Sequence, residues 1–318
     1  MTVAIRAAAA ALALICASAS AQNYPARPIR MIVPNPPGGA TDNLARVIAP
    51  KLSGLLGQTI VVDNRPGAAG NLAAEVATKA TPDGHTLFLA ADGQIVVSPH
   101  LYRKLPFDTL KDLTPVASLV STQMLLAVHP SLPVKTVAEF VEHARRAHPP
   151  LVYGSIGNGS QHHLAMEMLK SRAGINLLHV PYKGGGPALV GLFGGEVSVM
   201  FGGSSAAPHV RAGKLRALAL AGKRNPAYPG LPSMSETYPG LEVTPWLGLF
   251  SPVGLPAPVL KRLRAGTGRM LADPDTLGRI RKIALDPYPT TPEEFVALIR
   301  RDHAKYGEII RAVGIKID

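Results

Sequence analysis

Residues 151–164 read LVYGSIGNGSQHHL, an apolar run followed by a Gly/Ser/Asn loop and the start of a helical pattern. A glycine-dense loop that opens a helix leaves several main-chain N–H groups unpaired, with the positive end of the helix dipole behind them. Such a place holds an anion, and a carboxylate is a simple guest for it. Ser155, Gly157, Asn158, Gly159 and Ser160 are therefore candidate ligand residues, with His163 added from the start of the helix. A second copy of the arrangement, MIVPNPPGGATDNLARVI over 31–48, nominates Pro37, Gly38, Gly39, Ala40 and Asp42. Gly and Asp also suit an ordinary strand-to-helix turn. A third strand end, HVPYKGGG, adds Pro181, Tyr182 and Lys183, the last either a ligand cation or a solvated lysine. Two anion-facing helix starts point to a protein that grips a small acid between two lobes.

Catalytic templates do not fit. Gly202-Gly203-Ser204-Ser205-Ala206 ends in Ala where a nucleophile elbow needs Gly. Gly157-Asn158-Gly159 begins a dinucleotide fingerprint, but His162 stands at its third glycine, and Gly213-Lys214 is followed by Leu215 rather than Ser or Thr. His162 and His163 are adjacent, so on a helix they point apart and cannot share a metal. The reading is a binding protein with no cofactor and no metal, not an enzyme.

Short Val/Ile/Leu-rich runs must position these loops. They are Ile29–Pro34, Thr59–Asp63, His85–Ala90, Met124–Val128, Leu151–Ser155, Leu177–Tyr182, Val197–Phe201, Leu215–Ala221 and Leu247–Ser251. Helical periodicity follows several of them, over Asp42–Leu56, Ala68–Lys79 and Gln161–Ala173. Strand–helix alternation with nearly continuous apolar strands predicts an α/β fold with parallel sheets covered on both faces. Thr41 or Asp42 is placed to cap the first helix, Ser160 to cap Gln161–Ala173, and Gly174 to end it. Thr291-Pro-Glu-Glu heads a last amphipathic helix, roughly Pro292–Val313, with Phe295, Leu298, Ile299, Tyr306, Ile309, Ile310 and Val313 on one face. Residues 121–130 and 240–250 are where the chain crosses between lobes. The division expected is 22–123 plus 244–318 for lobe 1 and 124–243 for lobe 2, with the ligand cleft between them.

The first residues, MTVAIRAAAAALALICASASAQ, have the layout of a secretory signal: Arg6, an apolar run, then small residues in A-x-A order. Cleavage is expected after Ala21, giving a periplasmic protein of roughly 297 residues, enough for two domains. The only cysteine, Cys16, falls within the leader, so disulfides and thiolate chemistry are not expected in the mature chain. The formal charge of +12 drops by one without Arg6. Its basic residues are scattered and aromatics are only 5% of the chain, which argues against nucleic acid and for steering of small anions.

Taken in order, VPNPPGGATDNLAR, DNRPGAAGNLAAEVATKATPDGHTL, YGSIGNGSQHHLAMEML, HVPYKGGGPAL and SETYPGLEVTPWLGLFSPVGLPAPVLKRL resemble the Bug proteins over essentially the whole mature chain. These are the TctC-like periplasmic receptors of tripartite tricarboxylate transporters. The resemblance implies a type II periplasmic-binding-protein fold, two α/β lobes with a hinge, and a small carboxylate ligand delivered to membrane permease subunits by a monomer. It implies ligand contacts from the loops at Pro34–Asp42 and Ser155–Ser160. It also implies that Val180–Lys183 and the segment containing Gly202, Gly203 and Ser204 line the site. Many relatives carry an Asp shortly after the strand ending in Phe201, where it can meet a ligand amine. This chain has Gly202-Gly203-Ser204 there, which predicts a di-/tricarboxylic or aromatic acid without an amine. Two rivals stand beside this reading: a sensor that engages a membrane signalling partner, and an exported hydrolase using Ser160 or Ser204 with a histidine.

Overall fold

The computed structural model describes residues 24–203 and 206–316. The expected leader, Cys16 and Ser204 lie outside the described residues. The first strands are β1 (Ile29–Val33), β2 (Ile60–Asn64), β3 (Thr86–Ala91) and β4 (Leu113–Ser121). A second group follows: β5 (Leu125–Val128), β6 (Val152–Ser155), β7 (Leu178–Pro181), β8 (Val199–Gly202) and β9 (Arg216–Leu220). The chain closes with β10 (Trp246–Pro252) and β11 (Asp286–Pro287). One sheet has the order β11-β4-β10-β3-β1-β2, the other β7-β6-β8-β5-β9. Each carries its own helices, so the molecule has two α/β lobes. Among the described residues, no helix is long and apolar enough to cross a membrane.

The expectation of parallel sheets needs correction. β1 pairs in parallel with β2 and β3, and β6 with β7 and β8. But β10 runs antiparallel between β3 and β4, and β5 runs antiparallel between β8 and β9. These are the strands entered directly after the chain crosses from the other lobe. They arrive without the helical crossover that forces parallel pairing. A continuous apolar run reports burial on both faces and carries no strand direction.

β4 was not legible as a strand because Pro115, Ser118 and Ser121 interrupt it. It pairs with β10 all the same, and Pro115 sits opposite Phe250 where the register shifts, a place where a missing N–H is tolerated. Ser160 Oγ accepts from the His163 N–H at the head of Gln161–Ala173, and Gly174 ends that helix in the left-handed conformation. Thr291 and Glu294 form a capping box at the start of Pro292–Val313. The first helix departs from expectation. It runs Ala40–Leu56 from Gly39, without a side-chain cap, because Asp42 turns back to a different partner.

The last helix packs its apolar stripe across the first lobe. Phe295 meets the Trp246 ring edge-on at 5.3 Å and the Phe250 ring at 5.5 Å. Phe295, Leu298, Ile299, Tyr306 and Ile310 are all buried. A buried aromatic or aliphatic side chain of this kind contributes about 1.5–3 kcal/mol, so this stripe anchors the return of the chain to its first lobe. The two crossings lie side by side, the Thr122 N–H donating to the Pro245 carbonyl at 2.9 Å. Two neighbouring segments outside the strands therefore join the lobes.

Candidate functional site

A cavity of about 640 Å³ opens between the lobes. The second lobe supplies Ile156, Gly157, Asn158, Gly159, Ser160, Gln161, His162 and Gly184. The first lobe supplies three stretches, Pro34–Pro36, Pro66–Gly70 and Ala91–Tyr102. Glycine and proline dominate the walls, with Val97, Leu101, Tyr102 and Ile156 adding apolar surface, and no lysine or arginine is among the lining residues.

The glycine loop at 156–160 is held open by polar contacts behind it. Gly157 has φ +134° and Gly159 φ +71°, values that favour glycine. Ser160 Oγ donates to the Gly157 carbonyl at 2.7 Å while capping the helix. His163 Nδ1 accepts from the Gly159 N–H at 3.0 Å. It can do so because burial holds its pKa down at about 4, leaving the ring neutral. The imidazole stacks on His179 at 4.0 Å, which stacks on Tyr153 at 4.7 Å. His179 Nε2 lies 2.7 Å from Ser155 Oγ, and Ser155 is fully buried. Ser155 and His163 thus shape the loop from beneath rather than facing the cavity. Gln161 and His162, in the first turn, keep main-chain N–H groups with no main-chain acceptor among the described residues. Those donors stand beside the cavity that both residues line.

His162 is also part of the wall. Its Nδ1 is buried without a hydrogen-bond partner among the described residues, and burial lowers its pKa to about 4. Across from it a Cβ on Gly203 would come within 3.5 Å of Nε2. Gly202, the end of β8, is buried. Tyr182 follows β7 and donates its N–H to the Ser155 carbonyl at 2.9 Å. Pro181 and Lys183 are exposed, and it is the next residue, Gly184, that lines the cavity.

In the first lobe, Asn35 and Pro36 reach the cavity, whereas Pro37, Gly38 and Gly39 in the turn that follows, and Ala40 and Asp42 in the first turn of the helix, are not among its lining residues. That turn uses its own anion. Asp42 Oδ2 accepts from the Gly38 N–H at 2.8 Å, Arg46 pairs with it at 2.9 Å, and Asn64 donates to Oδ1 at 3.0 Å. These partners, Arg46 first, hold the Asp42 pKa down at about 2. Asn35 accepts from the Thr41 hydroxyl, which closes the turn.

Pro66–Gly70 and Ala91–Tyr102 also line the cavity, beyond the loops expected to do so. Ala68 and Ala69 both have positive φ, +47° and +55°, an uncommon strain that concentrates at functional sites. Gln94 holds this loop by donating to the Ala69 carbonyl at 2.7 Å and accepting from the Ala91 N–H at 2.9 Å. The glycines at 67 and 70 in RPGAAG were the available signal. Asp92 has a subtler place. It is 2% exposed, and its oxygens accept from the N–H groups of Gly93 (2.9 Å) and Trp246 (3.2 Å) and from the Gln161 side chain. A lone Asp in a strand end carries no sequence pattern that would single it out.

The geometry is that of a cleft lined by no lysine or arginine, with main-chain donors on its second-lobe side, and Ser160 has its hydroxyl committed to the loop rather than to an imidazole. Comparisons with known proteins agree. Residues 44–315 match the model of the tripartite tricarboxylate transporter family receptor, TctC. BugT of Bordetella pertussis is 33% identical over 311 residues, covering 96% of this chain and 95% of BugT. The structure of Rpa4515 from R. palustris with adipate superposes with TM-score 0.81 and 32% identity, covering 92% of this chain and 99% of that one. MatC from Rhodopseudomonas palustris with bound malate gives TM-score 0.76 and 32% identity, covering 90% and 100%. These relatives are solute-binding receptors of the type II periplasmic-binding-protein kind, not enzymes. The chain belongs to the TctC family of tripartite tricarboxylate transporter receptors.

Proposed function

We propose that this protein is a periplasmic receptor that closes its two lobes on a small carboxylate lacking an amine and presents it to the membrane permease of a tripartite transporter. The observation that carries the reading is the helix start at Asn158–His162. Its first-turn N–H groups stand at a cleft shared by both lobes, in a family whose solved members include complexes with adipate and malate. A charge-assisted hydrogen bond contributes about 1.5–3 kcal/mol, and a micromolar complex needs about 8 kcal/mol. A few such bonds plus apolar contact therefore suffice without an arginine clamp.

The absence of an amine in the ligand follows from where the carboxylates are. Gly202-Gly203 carries none, and the oxygens of Asp92 are engaged by three protein donors. The division of lobes at residues 123–124 and 243–244 places both breaks beside the Thr122–Pro245 contact, where a hinge is expected. Export with cleavage after Ala21 supplies the compartment, and intact mass of the protein from a periplasmic extract measures it.

The direct test is native mass spectrometry of freshly purified mature protein, followed by thermal shift with a carboxylate panel. A ligand at 100 times its Kd adds about 2.7 kcal/mol of stability. An acidic amino acid that binds more tightly than its deaminated counterpart defeats the amine argument. A panel in which no carboxylate shifts the transition defeats the receptor reading.

A further inference from the structure

The fold gathers cations that lie scattered along the sequence. The helices Ala40–Leu56, Ala257–Leu271 and Pro274–Lys282 pack against one another and bury Leu44, Leu52, Val259, Leu263 and Ile280 against one face of the first-lobe sheet. Together they carry nine lysines and arginines and only two acids, Asp42 and Asp275. Three of the cations are paired: Arg46 with Asp42 at 2.9 Å, Arg279 with Asp275 at 3.0 Å, and Lys51 with the capping Asp273 at 2.7 Å. Arg262, Arg269 and Arg264 donate instead to the main-chain carbonyls of Leu56, Leu55 and Pro115, neutral partners that leave the guanidinium charge standing. Lys261, Arg281 and Lys282 are exposed and have no side-chain partner among the described residues.

A solvated helix face usually mixes both signs of charge. On Ala257–Leu271 the exposed positions are lysine, arginine, alanine, glycine and proline alone. A helix of 15 residues is roughly 22 Å long, so its cations spread along a line instead of converging on one small anion. No aromatic or large aliphatic side chain of the three helices is exposed, so the face lacks the anchors of a protein interface. We infer that this face of the first lobe rests on an anionic phospholipid bilayer, its lysines and arginines meeting the headgroups. The inference goes beyond the carboxylate-receptor reading and does not depend on it. Each cation near such a surface adds an attraction that salt screens. No residue of the three helices lines the cleft. Attachment through them therefore holds one lobe and leaves the other free to move.

The test is sedimentation of the mature protein with vesicles of phosphatidylcholine alone and of phosphatidylcholine with one third phosphatidylglycerol. Wild type is expected on the anionic vesicles only, and to leave them at about 1 M salt, where the Debye length is about 3 Å. The triple variant Lys261→Gln, Arg281→Gln, Lys282→Gln is expected to bind about 100-fold more weakly, about fivefold for each cation lost. A matched variant of exposed second-lobe cations, Arg211→Gln, Lys214→Gln, Lys223→Gln, is expected to bind as wild type does. Equal binding of wild type to both kinds of vesicle overturns the inference, and that result stands even where a variant fails to fold. Equal losses in the two variants also overturn it, because net charge and not this face would then be responsible. Polyglutamate bound as tightly as the anionic vesicles assigns the face to an acidic protein and overturns the lipid occupant.

Discussion

Gln161, the first residue of the helix behind the glycine loop at 156–160, reaches across the cleft and donates from Nε2 to Asp92 Oδ2 in the other lobe. The same amide lies 3.3 Å from the Tyr306 hydroxyl. Asp92 Oδ2 also receives the N–H of Trp246 at the return crossing, and Trp246 Nε1 donates to Asp302 at 3.0 Å. A buried polar chain therefore runs from the glycine-loop helix through the opposite wall to the return crossing and the last helix.

Gln161→Leu keeps the volume and removes the bridge. Leaving a buried acceptor underused costs about 1–3 kcal/mol. We expect a urea transition displaced by that amount, followed by the emission of Trp246, the only tryptophan of the chain. Ligand titration of the variant should give a smaller change in that emission than in wild type, because the cradle is uncoupled from the crossing. Stability and emission both equal to wild type would show that the bridge carries no coupling.

Asp92 also gives stability a pH slope. Burial, reinforced by Asp302 nearby, raises its pKa to about 7 against the donors from Gln161, Trp246 and Gly93. The folded value exceeds the unfolded one, so between about 4 and 7 the folded chain holds a proton that the unfolded chain has released. This contribution to stability therefore falls as pH rises through that window. His162 and His163 act oppositely: both stay neutral in the folded chain down to about 4, so their contribution falls as pH drops from 6.5 towards 4. Asp92→Asn removes only the first slope. Denaturation at pH 5 and pH 8 should show the variant gaining on wild type as pH rises; a constant difference between the two proteins contradicts it.

The parts legible in the sequence are those written in local chemistry. Ser160, Gly174, Thr291 and the stripe from Phe295 to Ile310 act over three or four residues, and each stands as read. The direction of β5 and β10 depends on which lobe the chain has just left, which no window of sequence records. Much of the site was hidden for a related reason. His163 accepts from the Gly159 N–H behind the loop, while Asp92, Gln94 and His162 reach the cleft only because two lobes meet there. Asp42 shows the ambiguity at its sharpest. A helix start with an acid nearby reads equally as an anion site and as a site already filled, and only the Gly38–Asp42 contact distinguishes them.

Ser160 combines a capping role with a place in the lining of the cleft, and a second cap on the same chain separates the two. Its hydroxyl accepts from the His163 N–H at 3.3 Å and donates to the Gly157 carbonyl at 2.7 Å, inside the loop that lines the cleft. Thr291 caps the last helix in the same way, accepting from the Glu294 N–H at 3.2 Å, and it is absent from the lining of the cleft. Ser160→Ala and Thr291→Ala should each lower unfolding free energy by about 0.5–2 kcal/mol. Only Ser160→Ala also frees the Gly157 carbonyl and loosens the turn that aims the first-turn N–H groups. Its carboxylate affinity should fall by about tenfold, the equivalent of one hydrogen bond, while Thr291→Ala binds as wild type does. Equal losses of affinity in the two variants would mean that binding merely tracks stability, and the glycine loop would then have no special claim on the ligand.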